Sequence, residues 1–354
     1  MTAKKIFLTA FILLAGNIIA NAQTKSIDLD NLRYSMTYRS MPKEPFNPLF
    51  FTYSVFVNAT KPTEQRVTLF EIDDATYIEG QQKVNNNEDS HLAIVVDLGN
   101  LVIKNSTVSE RREERKNKEG KVINVNYYYK LVVDYAFESS YKIMQGNKVL
   151  VSNVVYAPMS TITYQSKEYG SRKDAGNFWE NNRDVLISEF TNEVCRKTAA
   201  AATSRASSLY GFPITKTTDI IQTTDEKKHL ENERFRAACA SLKEKLNAIT
   251  PNEGLKKDEV EGIIDYFQSI PSKYVDTKRA DMKLRYAAYF NLCKLYLYLN
   301  EPENVHKYAD LLIKNDYDKR DGEKLKKSAD EWKEQLKRTK MNTRNFNPED
   351  YFGE

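Results

Sequence analysis

From Ile27 to about Tyr164, apolar residues recur at every second position, the period of a strand that buries one face. Leu32, Tyr34, Met36 and Tyr38 alternate with Arg33, Ser35, Thr37 and Arg39. Ile123, Val125, Tyr127, Tyr129, Leu131, Val133, Tyr135 and Phe137 hold successive odd positions, with Asn124, Asn126, Lys130 and Asp134 between them. No helix puts those residues on one face, so Tyr127, Tyr129 and Tyr135 are expected in the core with Ile123, Leu131 and Val133. Gly146-Asn147 separates Tyr141–Met144 from Val149–Tyr156 and reads as a short hairpin, because both residue types tolerate positive φ. Glu110–Lys121 and Gly80–Ser90 are polar connections, and Pro42, Pro45 and Pro48 interrupt pairing after the first strand. The pattern predicts an antiparallel sheet of about six to eight strands, curled or doubled into a sandwich.

Helical spacing takes over near Gly176. Phe178, Val185, Leu186, Phe190, Val194 and Thr198 fall at three- and four-residue intervals, continuing into Ala201 and Ala202. This predicts one long helix over about 177–208, lying across the sheet, with Ala199–Ala202 allowing close approach. Tyr210-Gly211-Phe212-Pro213 stops it. Pro213–Thr224 is Thr-rich, with Ile220 and Ile221 as its apolar pair, and reads as a linker with room for a short edge strand. Beyond it the spacing predicts helices over 225–248, 255–270, 277–299, 302–315 and 319–340, with Pro251, Pro271 and Pro302 at boundaries. The expected fold class is α+β: an N-terminal antiparallel β domain with a packed long helix (23–212), a linker (213–224), an α-helical domain (225–340) and a C-terminal tail (341–354).

Short links between these helices imply antiparallel neighbours. Between Ala288 and Tyr317, Tyr289 stands where a tetratricopeptide repeat usually has Trp, and Leu292 and Tyr296 follow at that repeat's offsets. Asn300-Glu301-Pro302 takes the turn, while Cys293, Val305, Ala309 and Tyr317 depart from the pattern. The stretch resembles one tetratricopeptide-like hairpin, and Arg234–Ile270 has the two-helix shape without the signature residues. The resemblance implies stacked helical hairpins with a concave surface that binds peptides or proteins. On it, Tyr289, Tyr296, Tyr298 and His306 are the candidate partner-binding residues.

Lys4 and Lys5, the apolar run Ile6–Ala15 and the small residues Ala20 and Ala22 read as a secretion signal over 1–22, cleaved before Gln23. Asn17 interrupts the apolar run, which argues against a membrane anchor, and no cysteine lies near the cut to accept a lipid. The expected location is therefore the periplasm or the exterior. The whole chain has a formal net charge of +4, with 53 basic and 49 acidic residues. Near-neutrality argues against nucleic acid as a partner. Cys195, Cys239 and Cys293 all fall in expected helices, where buried free thiols are the commoner state, although export leaves one disulfide open.

Composition leaves few catalytic chemistries. His91, His229 and His306 have no second ligand at metal spacing, and there is no Gly-x-Ser-x-Gly elbow and no Gly-rich phosphate loop, so no catalytic, metal or cofactor residue is assigned. Carboxylates alone suffice for glycoside hydrolysis, which keeps Glu71, Asp73, Asp74, Glu88 and Asp89 as an alternative. Asp316, Asp318 and Asp321-Gly322 resemble a calcium loop until Arg320 and Lys327 occupy ligand positions. Asn58-Ala59-Thr60 and Asn105-Ser106-Thr107 match a glycosylation tripeptide that is frequent by chance. The chain has 22 tyrosines, many in its strand-rich half, so a carbohydrate-binding sheet face is a further alternative to the plain core role. Glu110–Lys121 carries six basic and four acidic residues, which reads as a solvated hairpin tip or a docking tip for an acidic partner or membrane surface. The leading expectation is a non-enzymatic exported protein that contacts a protein partner in the cell envelope. It needs no cofactor and has no membrane span after signal cleavage.

Overall fold

A computed structural model describes residues 27–44, 51–85, 88–225 and 229–351; the expected signal segment lies outside the described residues. Ten strands are formed among the described residues: β1 (Leu29–Arg39), β2 (Thr52–Ala59), β3 (Gln82–Lys83), β4 (Leu92–Leu98), β5 (Val102–Lys116), β6 (Val122–Ala136), β7 (Ser139–Gln145), β8 (Lys148–Tyr156), β9 (Ile162–Gln165) and β10 (Ile214–Thr224). The helices are α1 (Lys61–Glu64), α2 (Leu69–Asp74), α3 (Arg172–Tyr210), α4 (Asn232–Asn247), α5 (Glu261–Lys273), α6 (Arg279–Tyr298), α7 (Pro302–Lys314) and α8 (Lys319–Thr339). A last 3-10 turn covers Pro348–Tyr351. The fold class is α+β. The chain forms two compact units, one containing residues 27–41 and 213–351, the other residues 42–44 and 51–212.

In the first unit, β1 and β10 pair antiparallel over their full length, from Leu29 opposite Thr224 to Arg39 opposite Ile214. The expected linker is thus an 11-residue strand, and the first strand joins the helices rather than the sheets of the front half. The reason is apolar demand on both sides. Tyr34, Met36 and Ile221 share one core with Phe235, Cys239 and Leu242 of α4, and with Leu284, Leu292 and Leu295 of α6. β1 lies against α4, and β10 lies against both α4 and α6. Helix α6 packs against α5, α7, α8 and β10, which explains why it is buried on most sides from Tyr286 onward.

Asn291 of α6, fully buried, closes the outer edge of β10: its Oδ1 accepts from the Gln222 N–H at 2.7 Å, and its Nδ2 donates to the Gln222 carbonyl at 2.8 Å. The same carbonyl accepts from the Cys239 thiol at 3.2 Å. Helix ends fall within three residues of expectation, but three starts do not. Helix α3 begins at Arg172 rather than 177, α4 at Asn232 rather than near 225 and α5 at Glu261 rather than 255, and α5 continues two residues past Pro271. The segment expected as a tail is held to this unit by Arg39 N–H to Arg344 O (2.9 Å), Phe346 N–H to Pro251 O (3.0 Å) and Asn345 Nδ2 to Thr250 O (2.7 Å).

The second unit carries two sheets. One has the order β3-β2-β4-β7-β8, and the other β5-β6-β9. Most pairs are antiparallel, but β2 runs parallel to β3 and β4, because the chain after β2 passes through α1 and α2 and so returns in the same direction. The β7–β8 hairpin turns at Gly146 with φ +54°, as its sequence predicts. Both sheets pack on the 39-residue α3, which contacts β4 and β7 of one and β5 and β6 of the other. Ser171 caps it, its Oγ accepting from the Asp174 N–H at 3.1 Å. Its covered face runs through Leu186, Phe190, Val194, Ala199, Ala202 and Ala206. The Phe190 ring stacks on Tyr135 at 4.7 Å, and the small alanines bring the backbone close to its neighbours.

All three cysteines are buried and free. Burial pushes the thiols of Cys195 and Cys239 up to about 12, and that of Cys293 higher still. None of the three should react with a thiol reagent in the native protein at neutral pH, and all three should react in denaturant; a colorimetric thiol titration checks this. Replacing Asn291 with Leu keeps the branched shape but adds bulk and orphans the Gln222 N–H, and the lost hydrogen bond alone should cost about 1–3 kcal/mol in urea unfolding.

Candidate functional site

The expected partner-binding tyrosines do not form a surface. Tyr289, Tyr296 and Tyr298 are 9%, 5% and 5% exposed, because α6 is the central helix of its unit. Tyr296 stacks on Tyr308 of α7 at 5.4 Å, and Gln268 Nε2 donates to both of their hydroxyls, at 3.4 and 2.7 Å. His306 sits half-buried on α7 with its Nε2 at 2.9 Å from Asp330 Oδ1 of α8. It is the one expected residue that reaches solvent, and it bridges two helices rather than facing a partner.

Tyr298 belongs to a polar centre between β1, β10 and α6. Its hydroxyl donates to Asp219 Oδ2 at 3.0 Å and accepts from the Tyr34 hydroxyl at 3.0 Å. Lys294 Nζ reaches the same Asp219 oxygen at 2.6 Å. Burial alone would raise the Asp219 carboxyl, but Lys294, the Ile220 N–H and the Tyr298 hydroxyl outweigh it and hold the group below its ordinary 3.8. Burial raises both phenols well above the usual range. Beside them Arg344 lies over the rings of Tyr38, Tyr298 and Trp332 at 4.8, 5.1 and 4.7 Å, and its Nη2 donates to the Leu297 carbonyl at 3.2 Å. These contacts join strand, helix and C-terminal segment; each group is committed to another part of the same unit.

In the β unit, the turn between α1 and α2 and one side of α3 border an open groove of about 690 Å³. Glu71, Glu189 and Glu193 line it together with Arg66, Arg196 and Lys197. Arg196 pairs with Glu71 at 3.1 Å and Lys197 with Glu193 at 2.6 Å. All three carboxylates are exposed, and two of them are held in ion pairs. Among the described residues, no group of three or more His, Cys, Asp or Glu is placed to hold a metal ion.

The outer half of the β5–β6 hairpin leaves apolar residues uncovered. These two 15-residue strands pair along their length, and the bridge Tyr129–Tyr169 marks where the rest of the unit stops covering β6. Inward of it, Leu131, Val133 and Tyr135 are buried; outward, Tyr127 is 45% and Ile123 58% exposed, although all stand on the face expected to be core. The correction has a simple cause. α3 begins at Arg172 and covers only the inner part of β6, and β5 opposite the outer part reads Ser109-Glu110-Arg111-Arg112-Glu113-Glu114-Arg115-Lys116, which offers no apolar layer. On the other face Tyr128 lies beneath the Arg111 guanidinium at 4.6 Å. The large exposed aromatics, Phe56, Phe70, Tyr77 and Tyr127, are spread over β2, α2, the segment after α2 and β6 rather than set in the flat row a sugar platform needs. The charge contrast between β5 and β6 was the signal that could have marked this arm in the sequence.

The described residues form two compact units of an α+β fold, and among them no helix is long and apolar enough to cross a membrane. No family model and no curated protein matches the chain. Among solved structures, rare lipoprotein B from Shewanella oneidensis is similar over 43% of this chain and 95% of that one, at 12% identity and a TM-score of 0.20, a likeness too slight to carry an argument.

The polar centre gives a test with a defined sign. Because the folded Asp219 carboxyl lies below 3.8, it adds stability above the unfolded value and loses it as the pH falls through the folded one. Asp219→Asn should therefore cost about 2 kcal/mol at neutral pH. In urea unfolding the gap to the native protein should close once the pH is taken below the folded value.

Proposed function

We propose that this chain is an exported, non-enzymatic protein of the cell envelope that contacts a protein partner, with a tetratricopeptide-like helical unit as scaffold and the β5–β6 arm as the contact surface. The observation that carries the reading is the outer face of the arm, where the buried line of Leu131, Val133 and Tyr135 continues outward through Tyr127, 45% exposed, and half-buried Val125. An aromatic flanked by ion-paired Arg112 and Glu114 (2.7 Å) has the composition of a contact centre with a polar border.

The helical unit supports a scaffold role in a particular way. In a tetratricopeptide-like arrangement, α4 and α6 are the first helices of successive hairpins and present the inner surface. Here β1 and β10 occupy that side, with Asp219 and Gln222 bound to Lys294 and Asn291. Partner binding by the usual concave surface is therefore replaced by a self-contained unit, and contact passes to the arm. The signal-like start of the chain supports export.

Mild cross-linking of the full chain in cells, followed by identification of the captured proteins, tests this. A reproducible envelope protein should be recovered, and Tyr127→Asp should reduce its yield at least about tenfold without loss of folding, as expected for an aromatic at the centre of an interface. Recovery of no reproducible partner, or equal yield from Tyr127→Asp, would count against the reading.

A further inference from the structure

Charges on the arm are not distributed evenly. Near its base they neutralise one another: Arg111 pairs with Glu113 at 2.7 Å and with Glu168 at 3.2 Å, and Arg112 pairs with Glu114 at 2.7 Å. At the tip they do not. Arg115, Lys118 and Lys121 form no ion pair among the described residues, and Lys116 has its nearest carboxylate, Glu114, at 3.9 Å. With Glu119 as the one acid, residues 115–121 carry a net charge of +3.

The tip is built to hold these cations in place. Asn117 Oδ1 accepts from the N–H groups of Glu119 and Lys121 at 3.1 and 2.9 Å, and the Asn117 N–H donates to the Lys121 carbonyl at 2.9 Å. Gly120 supplies the left-handed turn residue with φ +81°. Immediately after the turn the pairing slips, Arg115 facing Asn124 and Lys116 facing Val122, so Ile123 is an extra residue in β6. Val122 and Ile123 are 39% and 58% exposed directly beside the lysines.

We propose that this tip docks on an anionic lipid surface, its cations meeting headgroup phosphates and Val122 and Ile123 entering the boundary of the acyl layer. Unpaired cations beside exposed aliphatic side chains are the combination an interfacial segment uses, whereas an acidic protein surface would match the cations and leave the aliphatics in water. The inference goes beyond the protein contact proposed above and uses other residues, at the turn rather than at Val125 and Tyr127. It gives a chain without a spanning helix among its described residues a peripheral hold on a membrane.

Co-sedimentation of the full chain with phosphatidylglycerol-containing vesicles tests it, with pure phosphatidylcholine vesicles alongside. Binding should require phosphatidylglycerol and weaken with added salt. Lys118→Glu and Lys121→Glu should each weaken it at least about fivefold, the value of roughly one basic residue near such a surface. Ile123→Ser should weaken it with no change of charge, and Lys327→Glu on α8, with the same change of net charge, should leave it unaltered. Equal binding to both vesicle types, no binding to either, or equal loss from Lys118→Glu and Lys327→Glu would overturn the proposal. Cross-linking of the Lys118→Glu variant separates this result from the previous reading, because its partner yield should persist if only the lipid contact is lost.

Discussion

A ribbon of two strands has no third strand to satisfy its outer edges, and a buried backbone N–H or carbonyl left unpaired is costly. In the helical unit this constraint is met by side chains. Asn291 supplies one acceptor and one donor to Gln222, as a neighbouring strand would, while Lys294 and Tyr298 converge on Asp219 three residues away on β10. Helix α6 is thereby fixed against the ribbon, and the helices packed on α6 inherit its position. The side of α4 and α6 turned toward the ribbon is consumed by the fold.

The β unit obeys a different limit, which is the reach of a single helix. Two sheets share α3, and their strands are buried only as far as that helix and its neighbours extend. Leu131, Val133 and Tyr135 lie within that reach; Tyr127 and Ile123, on the same strand and with the same alternation, lie beyond it. The charged residues of β5 keep the projecting edge from pairing indiscriminately, since an open strand edge of 15 residues is otherwise a template for aggregation. Solubility of the arm and its availability for contact therefore have one origin.

Much of the secondary structure was legible because it is local. Alternation marked β6, three- and four-residue spacing marked α3 and the later helices, Gly146 marked a hairpin, and Pro302 opened α7. The misplaced residues share a cause. Tyr289, Tyr296 and Tyr298 match a repeat motif along one helix, whereas the near-continuous apolar run Tyr286–Tyr298, broken by Asn291 and Lys294, marks α6 as a central helix. Tyr127 looked like core because its own strand alternates, whereas burial needs a covering layer that only a second element can supply. The candidate arm was half visible, as a charged connection; that it is two paired strands of that length was not.

The sequence by itself determined the alternation of β6, the helical spacing of α3 and the later helices, that its thiols sit in helical segments, and that a dense run of mixed charge marks Glu110–Lys121. These follow from spacing and turn chemistry within a dozen residues. Tertiary structure alone decided that β1 pairs with β10 across some 180 positions, that the chain therefore divides into units that do not follow its order, and which alternating residues are covered. Pairing between distant strands depends on the summed burial and hydrogen bonding of the partners that assemble around them, and no local pattern carries that sum.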